Sequence, residues 1–250
     1  MPSALSVAAF SAGLFSLASA HGYVAGVEVN GGAWIQGCNP NWYYQPAGTA
    51  PVTPGWQALN QDDGFVAPSA YGTSDIACHK SAKPGGAYID ANPGDTLTIF
   101  WNTWPDTHKG PVMNYLANCD GECTTATAAG LTFEKLTEGA WISGNDPGTW
   151  VTDTLIAANF SSTLVIPSTL AAGNYVLRHE IIALHAASSV DGAQNYPQCL
   201  NLKIGGSGST ALPAGESATS FYTETDPGIL FNLYTDFTSY TIPGPAVWSP

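Results

Sequence analysis

The feature that most constrains the fold is a succession of short strand-like runs separated by glycine, proline and asparagine turn signals. The clearest runs are Val24 to Val29, Asp95 to Trp101, Ser162 to Ile166 and Tyr175 to Leu184. Runs of this length form sheets, and a sheet must bury one face against another layer. The pattern therefore predicts an all-β chain, folded as a sandwich or a barrel.

Composition supports one large domain, or two small ones, and narrows the choice of partners. The 250 residues include 27 Gly, 18 Pro and 8 Trp, and only 10% of them are charged. The formal net charge of −13 argues against nucleic acid and anionic membranes, because both demand basic patches. An acidic balance suits a neutral partner such as a polysaccharide.

The organisation along the chain predicts one main domain with a C-terminal extension. Residues 34–80 and 102–150 are expected to be rich in loops, and residues 205–220 have the composition of a flexible linker. The thirty residues that follow are too few for a separate carbohydrate-binding module. We therefore predict that an extension, about 205–250, packs back on the main domain.

Residues 1–20 predict a signal peptide. The segment is apolar, too short to span a bilayer, and ends in Ala18-Ser19-Ala20, a small-x-small cleavage pattern. It carries no Lys or Arg, and the alternative is a buried N-terminal strand or helix. Cleavage after Ala20 gives a secreted, extracellular protein that begins at His21 and forms a single domain over residues 21–250.

Five cysteines, Cys38, Cys78, Cys119, Cys123 and Cys199, favour disulfides in a secreted chain. Cys119 and Cys123 are close enough to close one loop. The alternative for that pair is half of a zinc site, but no second pair at suitable spacing completes it.

An N-terminal His21 can chelate one metal ion through its α-amine and its imidazole. A second histidine completes a planar set of three nitrogens, and tetragonal nitrogen ligation favours Cu(II). His108 is the best candidate, because it lies in the loop 104–111 beyond a strand, where functional residues concentrate. The alternative for His108 is an ordinary histidine of a surface loop.

A third group of residues follows the longest strand-like run. His185 comes directly after that run, and Gln194 and Tyr196 are two residues apart, so both face the same way if they lie in a strand. A tyrosine can take a weak axial position at copper, and a neighbouring glutamine or histidine can hydrogen-bond a bound oxygen species. The alternative is ordinary core packing.

Several long motifs complete the pattern. They are His21-Gly22-Tyr23-Val24, Asn92-Pro93-Gly94-Asp95, His108-Lys109-Gly110-Pro111-Val112, Leu177 to His185, Gly192 to Cys199 and Tyr240 to Pro245. Through these motifs the chain resembles the fungal lytic polysaccharide monooxygenases of auxiliary activity family 9, formerly grouped with glycoside hydrolases. The resemblance covers essentially the whole chain after Ala20.

The resemblance implies an immunoglobulin-like antiparallel β-sandwich whose long loops form a flat substrate-binding face. It implies one copper ion, held by the amine and imidazole of His21 and the imidazole of His108, with Tyr196 in the axial position. His185 and Gln194 would lie beside the bound oxygen species and take part in catalysis with Tyr196.

The resemblance also assigns residues outside the metal centre. Tyr240, and with it Tyr43 and Tyr44, would stack on sugar rings. The disulfides would be Cys78–Cys199 and Cys119–Cys123, which leaves Cys38 as an extra thiol, and His79 and His179 match no ligand. Asn195 departs from the family pattern, in which an aromatic residue is common at that place. Asn159 begins a sequon that predicts N-glycosylation.

The implied activity is oxidative cleavage of a β-1,4-glucan, cellulose or hemicellulose, at carbon 1 or carbon 4. The co-substrate would be O₂ or hydrogen peroxide, a small molecule or redox protein would donate electrons, and the enzyme would act as a monomer. One alternative is a non-catalytic cellulose-binding protein, which would not need His21, His108 and Tyr196 together. Others are a copper-binding protein that stores or delivers the ion, and a zinc hydrolase, which would need a clustered general base.

Overall fold

The computed structural model describes residues 21–249. The predicted signal peptide lies outside the described residues and stays a prediction. The strands of the described part are, in chain order, β1 (Val24–Val29), β2 (Ile35–Gln36), β3 (Ile89–Ala91), β4 (Thr96–Trp101), β5 (Val112–Asn118), β6 (Thr132–Gly139), β7 (Trp141–Ser143), β8 (Thr149–Trp150), β9 (Ser161–Val165), β10 (Gly173–Ala183), β11 (Gln194–Ile204) and β12 (Glu216–Ser217).

Helices are short in this chain. The α-helices of the described residues are α1 (Asp75–Cys78) and α2 (Val151–Ala157), and the 3₁₀ turns are Pro40–Tyr44, Pro68–Ala70, Cys123–Thr125, Ala128–Gly130 and Ala218–Ser220. Within residues 21–249, no helix is long and apolar enough to cross a membrane.

The strands form two main sheets and a small hairpin of β7 and β8. One sheet has the order β2-β1-β4-β9, and the other has the order β12-β6-β5-β10-β11-β3. Neighbours in these sheets are antiparallel, except that β3 runs parallel to β11. The predicted all-β sandwich is confirmed, with this one parallel pair as a difference.

The six-stranded sheet is buried on both faces, as the alternation along β10 shows. Tyr175, Leu177 and Ile181 pack with strands of the opposite sheet. Val176 and Ile182 point the other way, into a second core built from loops and the C-terminal extension. Apolar residues flank three buried polar residues, Arg178, His179 and Glu180, at the middle of β10.

The predicted loop segments agree only in part with the structure. Residues 34–80 contain β2, α1 and two 3₁₀ turns, as expected of a loop-rich segment. Residues 102–150 also contain long loops, but the expectation did not include β5 and β6 of the six-stranded sheet, and every residue of β5 before Asn118 is buried. β5 follows the motif around His108 with no intervening turn cluster, and burial on both faces removes the polar alternation that marks a half-exposed strand.

Residues 205–220 have the composition of a flexible linker but lie against the domain. Residues 205–220 are attached to the domain by the hydrogen bonds Gly205 N to Ala91 O (2.9 Å) and Thr210 N to Thr169 O (2.8 Å). β12 then pairs with β6. Small polar residues indicate little about flexibility where backbone hydrogen bonds are satisfied by neighbouring strands. Beyond this segment Phe221, Tyr222, Ile229 and Leu233 enter the second core, so the extension packs against the six-stranded sheet.

Candidate metal centre and its surroundings

The predicted site residues belong to four different segments of the chain, which meet at one end of the sandwich. His21 precedes β1, and His108 lies between β4 and β5. His185 follows the end of β10, and Gln194 opens β11 opposite Ala183. Pairing of β1 with β4, and of β10 with β5 and β11, brings these ends together.

Two glycines of the sequence motifs allow the close backbone approach that this convergence needs. A Cβ on Gly22 would lie 2.2 Å from Thr103 O, and a Cβ on Gly110 would lie 1.8 Å from Ile182 O. Because real side chains cannot occupy such positions, glycine is required where the His21 and His108 segments cross their neighbours.

The aromatic rings form one cluster. The ring centroid of His21 lies 5.2 Å from that of His108 and 5.6 Å from that of Tyr196. His185 stacks on His108 with a centroid distance of 3.8 Å. The Tyr196 hydroxyl donates a hydrogen bond to Oε1 of Gln194 at 2.7 Å. The structure thus brings together all five residues predicted for the metal centre and its surroundings.

His108 has one ring nitrogen without a hydrogen-bond partner. Its side chain is buried, Nδ1 lies 3.1 Å from the Thr107 hydroxyl, and Nε2 is buried and unpartnered. An unsatisfied buried polar atom costs roughly 1–3 kcal/mol, which a metal bond to that nitrogen would remove. Nδ1 of His185 is likewise buried without a partner.

The electrostatics keep these imidazoles neutral, which is the form that binds metal. Burial, together with the neighbouring His185 and His21, lowers the pKa of His108 to about 3. Burial also lowers the pKa of His185. The pKa of His21 is lowered by burial, with the carboxylates of Asp62 and Asp63 and a hydrogen bond to Gln194 acting in the opposite direction. Burial raises the pKa of Tyr196, so its hydroxyl stays protonated.

The donor set therefore fits a metal ion that accepts neutral nitrogen. The imidazoles of His21 and His108 lie edge-on to one another, and His108 has an unpartnered buried nitrogen. The third nitrogen would be the α-amine of His21, present only after cleavage at residue 20. Among residues 21–249, no group of three His, Cys, Asp or Glu side chains could hold a metal ion.

Two aromatic residues of the site were missed by sequence reasoning. Trp104 packs edge-on against Tyr196 at 5.0 Å and donates a hydrogen bond from Nε1 to His108 O at 2.9 Å. Phe65 lies 6.2 Å from the rings of both His21 and Tyr196. Trp104 is four residues before His108, which was an available signal, whereas nothing in the sequence marks Phe65.

The predicted sugar-stacking tyrosines are in different environments. Tyr43 and Tyr44 are 57% and 72% exposed at the end of the 3₁₀ turn Pro40–Tyr44. Tyr240 is half-buried: its ring packs against Trp150 at 4.9 Å, and its hydroxyl donates to Gly228 O at 2.6 Å. Tyr43 and Tyr44 are therefore the more accessible stacking candidates.

The remaining predicted residues lie away from the imidazole cluster. The disulfides pair Cys78 with Cys199 and Cys119 with Cys123, as the resemblance implied, and Cys38 is free. Burial raises the pKa of the Cys38 thiol to about 12. His79 and His179 use both ring nitrogens in hydrogen bonds inside the protein. Asn159 is exposed in the turn after α2.

The chain is similar to known proteins over most of its length. Residues 21–241 match the family model described as Auxiliary Activity family 9 (formerly GH61). The chain is 52% identical over 238 residues to AA9 family lytic polysaccharide monooxygenase F of Malbranchea cinnamomea, with 94% of each protein covered. It is 47% identical over 233 residues to AA9 family lytic polysaccharide monooxygenase A of Thermoascus aurantiacus, covering 92% of this chain and 100% of that protein.

Solved structures show the same similarity. The extended catalytic domain of H. jecorina LPMO9A matches with a TM-score of 0.87 and 45% identity, covering 92% of this chain and 91% of that one. Cel61B from Hypocrea jecorina, titled a glycoside hydrolase family 61 member, matches with a TM-score of 0.85 and 45% identity, covering 91% of this chain and 100% of that one.

Proposed function

The chain belongs to auxiliary activity family 9 and is a lytic polysaccharide monooxygenase that cleaves polysaccharide oxidatively, and we propose that it does so with one copper ion bound by His21 and His108. The α-amine and imidazole of His21 and Nε2 of His108 would hold this ion, and the Tyr196 hydroxyl would be a further, weak ligand. The observation that carries this assignment is the buried, unpartnered Nε2 of His108 in a cluster with the His21 ring.

A copper ion held by these three nitrogens would supply the redox chemistry toward O₂ or hydrogen peroxide that oxidation of the substrate requires. The protein residues position the reacting groups. Gln194 accepts the Tyr196 hydroxyl proton in a hydrogen bond, which fixes the rotation of that hydroxyl. His185 is held by stacking on His108, and its buried Nδ1 is available to a bound ligand. His185 and Gln194 would orient the oxygen co-substrate.

The substrate is a β-1,4-glucan, cellulose or a related hemicellulose, hydroxylated at carbon 1 or carbon 4 so that the glycosidic bond breaks. Exposed tyrosines bind sugar rings through their faces, and Tyr43 and Tyr44 offer such surface beside each other. Tyr240 would contribute only the exposed part of its ring. The electron donor is external, either a small molecule or a redox protein.

Secretion is part of the proposal, because the amine ligand depends on it. Removal of residues 1–20 by signal peptidase makes His21 the first residue of a monomeric extracellular enzyme. The two disulfides are consistent with an oxidising compartment. Asn159, exposed in its sequon, would carry the glycan.

A single-residue extension tests the ligand set most sharply. We compare the mature protein beginning at His21 with His21→Ala and with a form that carries one extra glycine before His21. The extended form keeps both imidazoles, but the His21 nitrogen becomes a peptide nitrogen and the α-amine moves one residue away. We expect the unsubstituted protein to bind one Cu(II) and to release oxidised oligosaccharides from cellulose when a reductant is present, and both variants to lose this activity and most of the copper affinity. Equal copper affinity and product release by all three proteins would contradict the ligand set.

A further inference from the structure

We propose that Asn195 is a positioning residue for the metal centre, and that the buried pair Arg178–Glu180 and Tyr222 of the C-terminal extension act on the centre through it. This inference rests on the proposed function. Asn195 lies in β11 between Gln194 and Tyr196. Its side chain is fully buried on the opposite face of the strand.

Asn195 is attached to its surroundings by both its side chain and its backbone. Its Nδ2 donates to Oε1 of Glu180 at 2.9 Å, and its Oδ1 accepts from the Tyr71 hydroxyl at 2.6 Å. Its backbone exchanges two hydrogen bonds with Val66, of 2.8 and 3.1 Å. Four hydrogen bonds therefore determine the position and rotation of this one residue.

These attachments reach both sides of the metal centre. Gln194 and Tyr196 are joined to Asn195 through the strand backbone and point to the opposite face, so a rotation of the backbone at Asn195 also moves both of them. Val66 follows Phe65, whose ring contacts the rings of His21 and Tyr196. Asn195 thus positions the axial tyrosine from within β11 and supports the His21 side through the adjacent loop.

The group that holds the Asn195 amide is itself rigid. Glu180 accepts hydrogen bonds from Nη1 and Nη2 of Arg178 at 2.6 and 2.8 Å, and from the Tyr222 hydroxyl at 2.5 Å. Arg178 also donates to the carbonyls of Ile76 and Ala77. A buried carboxylate bonded by several donors resists displacement, because each lost bond leaves a charge unsatisfied at low dielectric.

Tyr222 connects the C-terminal extension to this network. Its hydroxyl bonds Glu180 and lies 2.8 Å from the Tyr115 hydroxyl of β5. The extension thus contributes a polar group to the chain of contacts that runs through Glu180 and Asn195 to Tyr196. A role limited to covering apolar surface would not require this hydroxyl.

A second asparagine of β11 provides a matched control. Asn201 is equally buried and lies six residues further along, so it is on the same face of the strand as Asn195. It accepts from Nε1 of Trp56 at 2.7 Å and donates to Gly85 O at 2.8 Å. Asn195→Leu and Asn201→Leu therefore remove comparable hydrogen bonds, at the metal end and at the far end of one strand.

The experiment uses the full mature chain beginning at His21. We measure thermal unfolding of the metal-free protein, the Cu(II) dissociation constant by calorimetry and the Cu(II) electron paramagnetic resonance spectrum. Both variants should unfold at lower temperature. Only Asn195→Leu should alter the spectrum and raise the dissociation constant, by about tenfold, the lower end of the effect of losing an outer-shell partner.

A wild-type spectrum and dissociation constant in Asn195→Leu would overturn the inference, and so would an equal change in Asn201→Leu. If Asn195→Leu does not fold, Tyr71→Phe and Tyr222→Phe each remove one hydroxyl from the network, and at least one must shift the spectrum in a folded protein. Failure of the unsubstituted protein to bind Cu(II) would instead overturn the proposed function, so the two failures are distinguishable.

Discussion

Burial alone does not separate the histidines proposed to bind copper from the structural ones in this protein. His79 donates from Nε2 to Gly64 O at 2.9 Å, and its Nδ1 accepts from the Lys80 amide at 2.9 Å. His179 also has a protein partner at each ring nitrogen. His108 has a buried nitrogen without one. The sequence could place His108 in a loop beyond a strand, but the missing partner is visible only in three dimensions.

The buried neutral imidazole of His179 makes stability depend on pH. Burial, with the charge of Arg178 nearby, lowers its pKa from 6.5 to about 3. The unfolded chain takes up this proton near pH 6.5, so the contribution is complete above that pH and is lost as the pH falls towards 3. As the pH is lowered from 6.5 towards 3, we expect the unfolding free energy of His179→Gln to decrease less steeply than that of the unsubstituted protein. The two slopes should differ by up to about 1.4 kcal/mol per pH unit.

Urea unfolding at a series of pH values between 7 and 4 measures this slope. The Gln side chain can still accept the hydrogen bond from Nε1 of Trp101, so the variant tests titration more than packing. Identical slopes in the two proteins would show that His179 is not the titrating group.

The residues of the centre that a motif carries were predictable, and those placed only by packing were not. His21, His108 and Tyr196 belong to sequence motifs, and the structure brings their rings together. Phe65 reaches the same cluster through a bridge between Val66 and Asn195, a contact of long sequence separation that no local pattern announces. Asn195 stands where an aromatic residue is common in the family. Its hydrogen bonds with Glu180 and Tyr71 explain why an asparagine fits at this position.

At the scale of elements, the strands with clear turn signals were predicted and the rest were not. β1 has the predicted bounds, and β4, β9 and β10 differ from prediction by one or two residues at their ends. β5 was missed because it is buried on both faces and follows the His108 motif directly. Two-residue strands such as β12 are defined by their hydrogen bonds to a partner strand, so a sequence pattern cannot locate them.

The two disulfides should differ strongly in their effect on stability. Cys78–Cys199 links residues 121 apart and ties α1 to β11, whereas Cys119–Cys123 spans only 4 residues. In the chain-entropy model the long loop stabilises by about 5 kcal/mol and the short one by about 2 kcal/mol. We expect Cys78→Ala with Cys199→Ala to lower the urea midpoint much more than Cys119→Ala with Cys123→Ala. Equal losses would mean that loop length does not determine the effect.

At the scale of the whole molecule, one sheet is covered on both faces, by the second sheet and by loops with the C-terminal extension. The segment that composition marks as a linker is therefore structural. Phe221, Tyr222, Ile229 and Leu233 of the extension are all buried. Removing it would expose the second core together with the polar network around Glu180.

Deletion of residues 216–250 tests this role. Each large apolar side chain contributes roughly 1.5–3 kcal/mol on burial, and four of them approach the total stability of a typical domain, about 5–15 kcal/mol. We expect the truncated protein to lose cooperative thermal unfolding and to be cleaved rapidly by protease, while deletion of Ser249 and Pro250 alone changes little. A truncated protein that melts within a few degrees of the full chain would refute the structural role.

The position of His21 among the buried rings also bears on how a cell can safely produce an enzyme with oxidising activity. A ligand that exists only after a peptide bond has been cut leaves the newly made chain unable to complete the proposed centre. If residues 1–20 are the proposed leader, the producing cell would be protected from oxidation by its own product until export, and the protease that removes the leader would activate the enzyme.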